Sequence, residues 1–310
     1  MSEDRSTGSP GEIAGGIFRE EWESFCEKSQ KQARNNQIDA ICQHISRYIT
    51  HIHEGWKERI WRPSLEQRLQ YYVRCIWRIL HDAARYCNGQ YRDRLIIEFL
   101  LIRGMGQISC FSISKEGRVE ESVPLSLGSG RMMWVDVPFF VEDMTRLWVQ
   151  DCARISRDQR RNLTSFLATI SGTGTLDQLC GVGLIVLRDA FETQREMGSL
   201  DDESGDAEDD ERTMESLRVL DLFDCARHWI MKAWDRFERL AAIEFSDFPA
   251  EVGQLGKLAK EAEIPDNGGF SVERVQFWKM RLFEFQEIQD TEPTLEQDAR
   301  PPPQSRWPDV

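Results

Sequence analysis

Along most of this 310-residue chain, apolar positions recur at spacings of three and four, the period of an amphipathic α-helix packed on one face. Ile38, Ile41, Ile45, Ile49 and Ile52 make one such stripe, and Leu69, Val73, Ile76, Leu80 and Cys87 make the next. Helix starts are predicted at Ser64 with Gln67, Ser156 with Gln159, and Thr175 with Gln178, each an S/T-x-x-Q capping box. Two runs, Leu95 to Ile102 and Leu179 to Phe191, are apolar all round and read as central helices buried on most sides. The longest helix is predicted from about Glu215 to Ile243, with Leu220, Phe223, Ile230, Trp234, Phe237 and Ala241 as its packing stripe. A terminal helix begins near Ser271, a good N-cap, with Phe270 and Val275 at the two places of a hydrophobic staple. Only Gln107 to Val123 hints at strands, where Ile108, Cys110, Phe111 and Ile113 precede the turn-like Lys115-Glu116-Gly117.

The fold class expected is therefore all-α: one multi-helix domain of packed antiparallel and crossing helices, with a small hairpin near 107–123. That domain is expected over 18–290. Polar and acidic residues 1–17, and the tail 291–310 with its RPPPQSRWP run, read as disordered. An acidic insertion at 198–216 holds nine carboxylates against Arg212, a net of about −8, and also reads as disordered. It supplies much of the whole chain's formal charge of −14.

Several stretches resemble the motifs of a filamentous-fungal family described only as a domain of unknown function. They are Trp134 to Trp148 (WVDVPFFVEDMTRLW), Arg160 to Gly174 (RRNLTSFLATISGTG), Asp189 to Glu192 (DAFE), Trp229 to Leu240, and Phe270 to Leu282 (FSVERVQFWKMRL). The resemblance implies a mostly helical intracellular domain. It carries no catalytic residue, cofactor or partner onto this chain.

Composition agrees with a soluble globular protein: 40% of residues are hydrophobic, and ten tryptophans and sixteen phenylalanines supply core volume. No apolar run approaches the roughly 20 residues a bilayer span needs, so no membrane association is expected. The start MSEDRSTGSPGE has no apolar h-region of a secretory signal. Eight cysteines are scattered without a C-x-x-C pair, which favours reduced, buried thiols and a cytoplasmic or nuclear location.

Candidate chemistry is sparse. His44, His51 and His53 lie near Cys42 but cannot converge on one ion from a single helix, so no metal or other cofactor is expected. G-x-G pairs occur without the rest of a dinucleotide-binding fingerprint, and there is no Walker or G-x-S-x-G motif. One feature stands out: Arg74, Arg78, His81 and Arg85 fall within about 60° of one another around the predicted Leu65–Cys87 helix. This face would suit an anion or an acidic partner. Nucleic acid fits poorly with a pI near 5 and no basic-aromatic module. The expected role is that of a non-enzymatic helical interaction protein with a protein partner. The alternative is a small-molecule binder or enzyme with an interhelical pocket lined by aromatics such as Trp148, Phe166, Trp234 or Trp278.

Overall fold

The computed structural model describes residues 34–57, 65–104, 110–113, 119–123, 132–198 and 207–291. The helices are α1 (Arg34–Lys57), α2 (Leu65–Tyr86), α3 (Gly89–Gly104), α4 (Phe140–Asp151), α5 (Arg157–Gly172), α6 (Cys180–Leu187), α7 (Val219–Ala242), α8 (Ala250–Gly253), α9 (Lys257–Glu261) and α10 (Val272–Thr291). Strands β1 (Cys110–Ile113) and β2 (Val119–Val123) pair antiparallel where the hairpin is expected. The architecture is all-α, with this hairpin as an appendage touching α1.

Helix α5 is the hub, lying most extensively against α7 and also against α2, α3 and α6. Its start is the predicted box: Gln159 N–H donates to Ser156 Oγ at 3.3 Å, and Ser156 N–H donates to Gln159 Oε1 at 3.0 Å. Helix α6 is buried from end to end, which its unbroken apolar sequence requires. It runs into a single π-helical turn, Arg188–Glu192. Gly183 lets α6 approach α7 closely, since a Cβ there would lie 2.8 Å from the Phe237 ring.

The structure corrects some boundaries and faces. The Thr175 box does not form: Thr175 Oγ1 meets Thr173 Oγ1 at 2.9 Å, and Gln178 Nε2 donates to Asp247 at 3.1 Å. The Ser64 box lies outside the described residues. Helix α3 is not central: it packs on α1, α2 and α5 by one side, leaving Ile97, Leu100 and Leu101 exposed on the other. Helix α7 starts at Val219, because Met214–Ser216 forms a separate 3-10 turn. Phe223, Phe237 and Ala241 of the predicted stripe are buried, but the buried face also runs through Leu222, Ala226, Trp229, Ala233 and Leu240. Leu220, Ile230 and Trp234 are only half-buried, since they lie off the face that packs against α5, α6 and α10. Residues 1–33, 199–206 and 292–310, which include nearly all of the two tails expected to be disordered, lie outside the described residues, but residues 207–216 of the acidic insertion are described and ordered by contacts such as Asp209 N–H to the Arg154 carbonyl at 2.8 Å.

Candidate functional site

Arg74, Arg78, His81 and Arg85 all lie on α2, but they meet different surroundings. Arg74 pairs with Asp143 on α4 and reaches Glu142 at 3.4 Å, and its guanidinium sits 4.4 Å from the Phe139 ring centroid. Below it, Trp77 Nε1 donates to the Pro138 carbonyl at 2.8 Å. These contacts clamp a turn in which Val137 and Phe139 both hold positive φ, 38° and 67°, an unusual conformation for a β-branched or bulky residue. Arg74 is thus part of the scaffold that positions the Trp134 to Trp148 motif.

Arg78 Nε lies 2.8 Å from Asp82 Oδ2, one turn along the helix. His81 does not share the surface with the arginines. It is fully buried, with Nδ1 2.9 Å from Asp82 Oδ1 and Nε2 4.0 Å from Asp151 on α4. Burial alone would raise the pKa of Asp82, but the hydrogen bond to His81 and the charge of Arg78 outweigh it and hold the pKa below its ordinary value. Asp143 shows the opposite balance: burial raises its pKa even though Arg74 and Arg146 pull it down.

Arg85 meets the acidic segment itself. Glu208 lies 3.5 Å from Arg85 Nη2, accepts from the Tyr86 hydroxyl at 3.2 Å, and accepts from Gln159 Nε2. The next residue ties the backbone down, Asp209 N–H donating to the Arg154 carbonyl at 2.8 Å. From there the chain passes through Met214–Ser216 to Leu217, whose carbonyl accepts from Arg195 Nη1 at 3.0 Å.

That second end of the segment borders a cleft of about 740 Å³ beside the π turn. Val149 and Met214 give it apolar surface, with the buried Trp148, Ile185 and Leu217 beneath, and Arg188, Asp189 and Arg195 line it. Behind the same turn, Glu192 is fully buried and every oxygen is used. Arg274 Nε and Trp278 Nε1 each donate to its Oε1 at 2.7 Å, and Gly256 N–H donates to its Oε2 at 2.7 Å. Arg274 Nη1 is in turn spent on the carbonyls of Gly253 and Gly269, at 2.7 and 2.8 Å. The network ties the π turn to α10 and to the loops beside α8, and Gly256 is required because a Cβ there would lie 2.5 Å from the Glu192 side chain.

The aromatics proposed for an interhelical pocket are not brought together. Trp148 lines the cleft, Phe166 is core, Trp278 donates to Glu192, and Trp234 is half-buried with its indole N–H on Glu238 at 2.8 Å. Among the described residues no group of three His, Cys, Asp or Glu could hold a metal ion, and no helix is long and apolar enough to cross a membrane. Cys42, Cys75, Cys152, Cys180 and Cys225 are free thiols, and they and Cys87 are buried. Burial pushes the Cys42 thiol up to about 11 and the Cys180 thiol up to about 12, so neither is a ready nucleophile.

Sequence reasoning missed the Glu192–Arg274–Trp278 network and the cleft, although both were partly signalled. Glu192 ends the DAFE stretch, and Arg274 and Trp278 sit in the Phe270 to Leu282 stretch, so two motifs of the resemblance meet in one ion pair. A family model described as a protein of unknown function (DUF3632) matches residues 77–282, which include all of the motifs named above. Oxopyrrolidines biosynthesis cluster protein G of Penicillium oxalicum is 30% identical over 223 residues, covering 70% of this chain. The chain spans 60% of that relative's length. No solved structure matches.

Proposed function

Since the chain belongs to the DUF3632 family of proteins of unknown function, we propose that it acts by non-covalent recognition: a helical domain, cytoplasmic or nuclear, whose α2–α5 surface binds an acidic segment of a protein partner. The observation that carries this reading is the contact of Glu208 with Arg85, Tyr86 and Gln159. A carboxylate remote in sequence sits on the basic face, held by one cation and two neutral donors. Such a site suits a peptide carboxylate, and the chain's own acidic segment acts as a tethered competitor. Arg74 and Arg78 lend positive potential nearby but are engaged by Asp143 and Asp82. The relative's name connects that protein to a biosynthesis cluster, which makes components of such machinery reasonable partners to test.

An exposed ion pair contributes about 0–1 kcal/mol, so the tethered segment should be displaceable. The test is a fluorescence anisotropy titration of the full chain with a labelled peptide copying residues 207–213. Glu208→Gln is expected to bind the peptide up to about fivefold more tightly than wild type at low salt. Arg85→Glu is expected to abolish binding. If Glu208→Gln leaves the affinity unchanged, or Arg85→Glu still binds, the recognition surface lies elsewhere.

A further inference from the structure

We propose that the cleft beside the π turn is a binding site for a small zwitterion, a molecule of the α-amino acid class that carries a carboxylate, an ammonium and an apolar side group. It shares no lining residue with the Arg85 surface, so the two readings stand or fall separately.

The cleft's volume of about 740 Å³ falls in the range of small-molecule sites. Its charged groups are fixed in advance. Arg188 Nη1 donates to the Glu251 carbonyl at 2.7 Å, and Arg195 donates to the carbonyls of Asp189 and Leu217 at 2.9 and 3.0 Å. These bonds lock both guanidinium groups, so little side-chain entropy remains to be lost on binding. Asp189 between them is 16% exposed, and its Oδ1 lies 3.7 Å from Arg188 and 3.9 Å from Arg195, beyond hydrogen-bonding distance of either. Burial raises its pKa even though both arginines pull it down.

Charge decides the ligand class. Arg188, Arg195 and Arg218 face Asp189, Glu196 and Glu215 around one rim. A simple anion would meet the carboxylates, and a simple cation would meet the guanidinium groups. A zwitterion satisfies both signs, its ammonium on Asp189 and its carboxylate on the arginines, while the exposed Val149 and half-buried Met214 offer apolar surface to its side group.

The test is isothermal titration of the full chain with L-leucine and L-phenylalanine, alongside 3-phenylpropionate, which lacks the ammonium, and 2-phenylethylamine, which lacks the carboxylate. L-phenylalanine is expected to bind, with each analogue at least tenfold weaker. Asp189→Asn is expected to erase the preference for L-phenylalanine over 3-phenylpropionate. Ser216→Trp, an exposed rim position whose hydroxyl donates only to the Thr213 carbonyl of its own turn, is expected to block binding while leaving the circular dichroism spectrum unchanged and the unfolding cooperative. The proposal is overturned if L-phenylalanine does not bind at millimolar concentration, if the analogues bind as well as L-phenylalanine, or if the folded Ser216→Trp variant binds normally.

Discussion

Two arginine–carboxylate contacts in this molecule use the same chemistry for opposite ends. Arg274 and Glu192 are 1% and 0% exposed, 2.7 Å apart, and surrounded by carbonyl and N–H partners. Arg85 and Glu208 are 13% and 53% exposed and 3.5 Å apart. Desolvating two charges is costly, so the first pair persists only because every remaining donor and acceptor is matched, and it tolerates no substitute partner. In the second, Arg85 is mostly covered but Glu208 stays about half exposed, and the contact is long at 3.5 Å, so the carboxylate gains little from it and can exchange. Burial makes one pair a structural joint and leaves the other an exchangeable contact.

The largest effect should come from breaking the joint. Arg274→Met leaves Glu192 buried with no cation, a change that costs about 3–5 kcal/mol in comparable sites. Urea denaturation should show a loss of this size. The double variant Glu192→Leu with Arg274→Met should recover much of it, because the uncompensated charge is gone. Equal losses in the single and double variants would mean that the packing of these side chains, more than their charge, holds the joint.

Most of the scaffold around this comparison was legible in the sequence. The stripes of α1 and α2, the Ser156 box and the Ser271 cap depend on local period and local hydrogen bonds, and the structure has them; Arg274 N–H donates to Ser271 Oγ at 3.1 Å. The exposed face of α3 and the part of the α7 face through Leu222, Ala226 and Trp229 were not legible, because Ile97 and Leu222 look alike until neighbours are chosen. The same limit governed the site. Helical periodicity puts His81 on one flank with Arg74, Arg78 and Arg85, but only tertiary packing against α4 buries the histidine and leaves Arg85 to the acidic segment. Glu192 and Arg274 are 82 residues apart, and no local rule pairs them.

An intermediate case tests whether burial is the variable that matters. Asp82 is 4% exposed and hydrogen-bonded to His81 and Arg78, but Arg78 remains partly in solvent. Asp82→Asn should cost about 1–3 kcal/mol, the range for disrupting a buried hydrogen-bonding group. The folded-state pKa of Asp82 lies below its ordinary 3.8, so its charge-dependent stabilisation is present above that value and is lost as pH falls through the folded pKa. The gap between wild type and variant should therefore narrow on acidification below about pH 4. A gap that stays constant across that range would assign the effect to shape and not to ionisation.

Asp189 should give a smaller effect of opposite sign. Its pKa is raised in the folded state, so its ionised form destabilises the fold at neutral pH, and the penalty is relieved as pH falls through the folded pKa. Asp189→Asn keeps the shape and removes the charge, so a small rise in Tm is expected at pH 7, shrinking as pH falls. A clear drop in Tm would mean that the loose contacts to Arg188 and Arg195 are worth more than their distances suggest.

The smallest stability effect is expected at the other pole of the comparison. Glu208→Gln removes one exposed charge but can still accept from Tyr86 and Gln159, so it should change unfolding free energy by no more than about 1 kcal/mol. What distinguishes this pair is its response to salt. At an ionic strength near 1 M the Debye length falls to about 3 Å, so any difference between variant and wild type should disappear there. The buried joint is shielded from ions, and the Arg274→Met loss should survive the same salt. Parallel urea titrations of Arg274→Met and Glu208→Gln at low and high salt read both ends at once. A salt-resistant loss above about 2 kcal/mol for Glu208→Gln would make that contact structural, and the α2–α5 surface would no longer be an exchangeable site for an acidic partner.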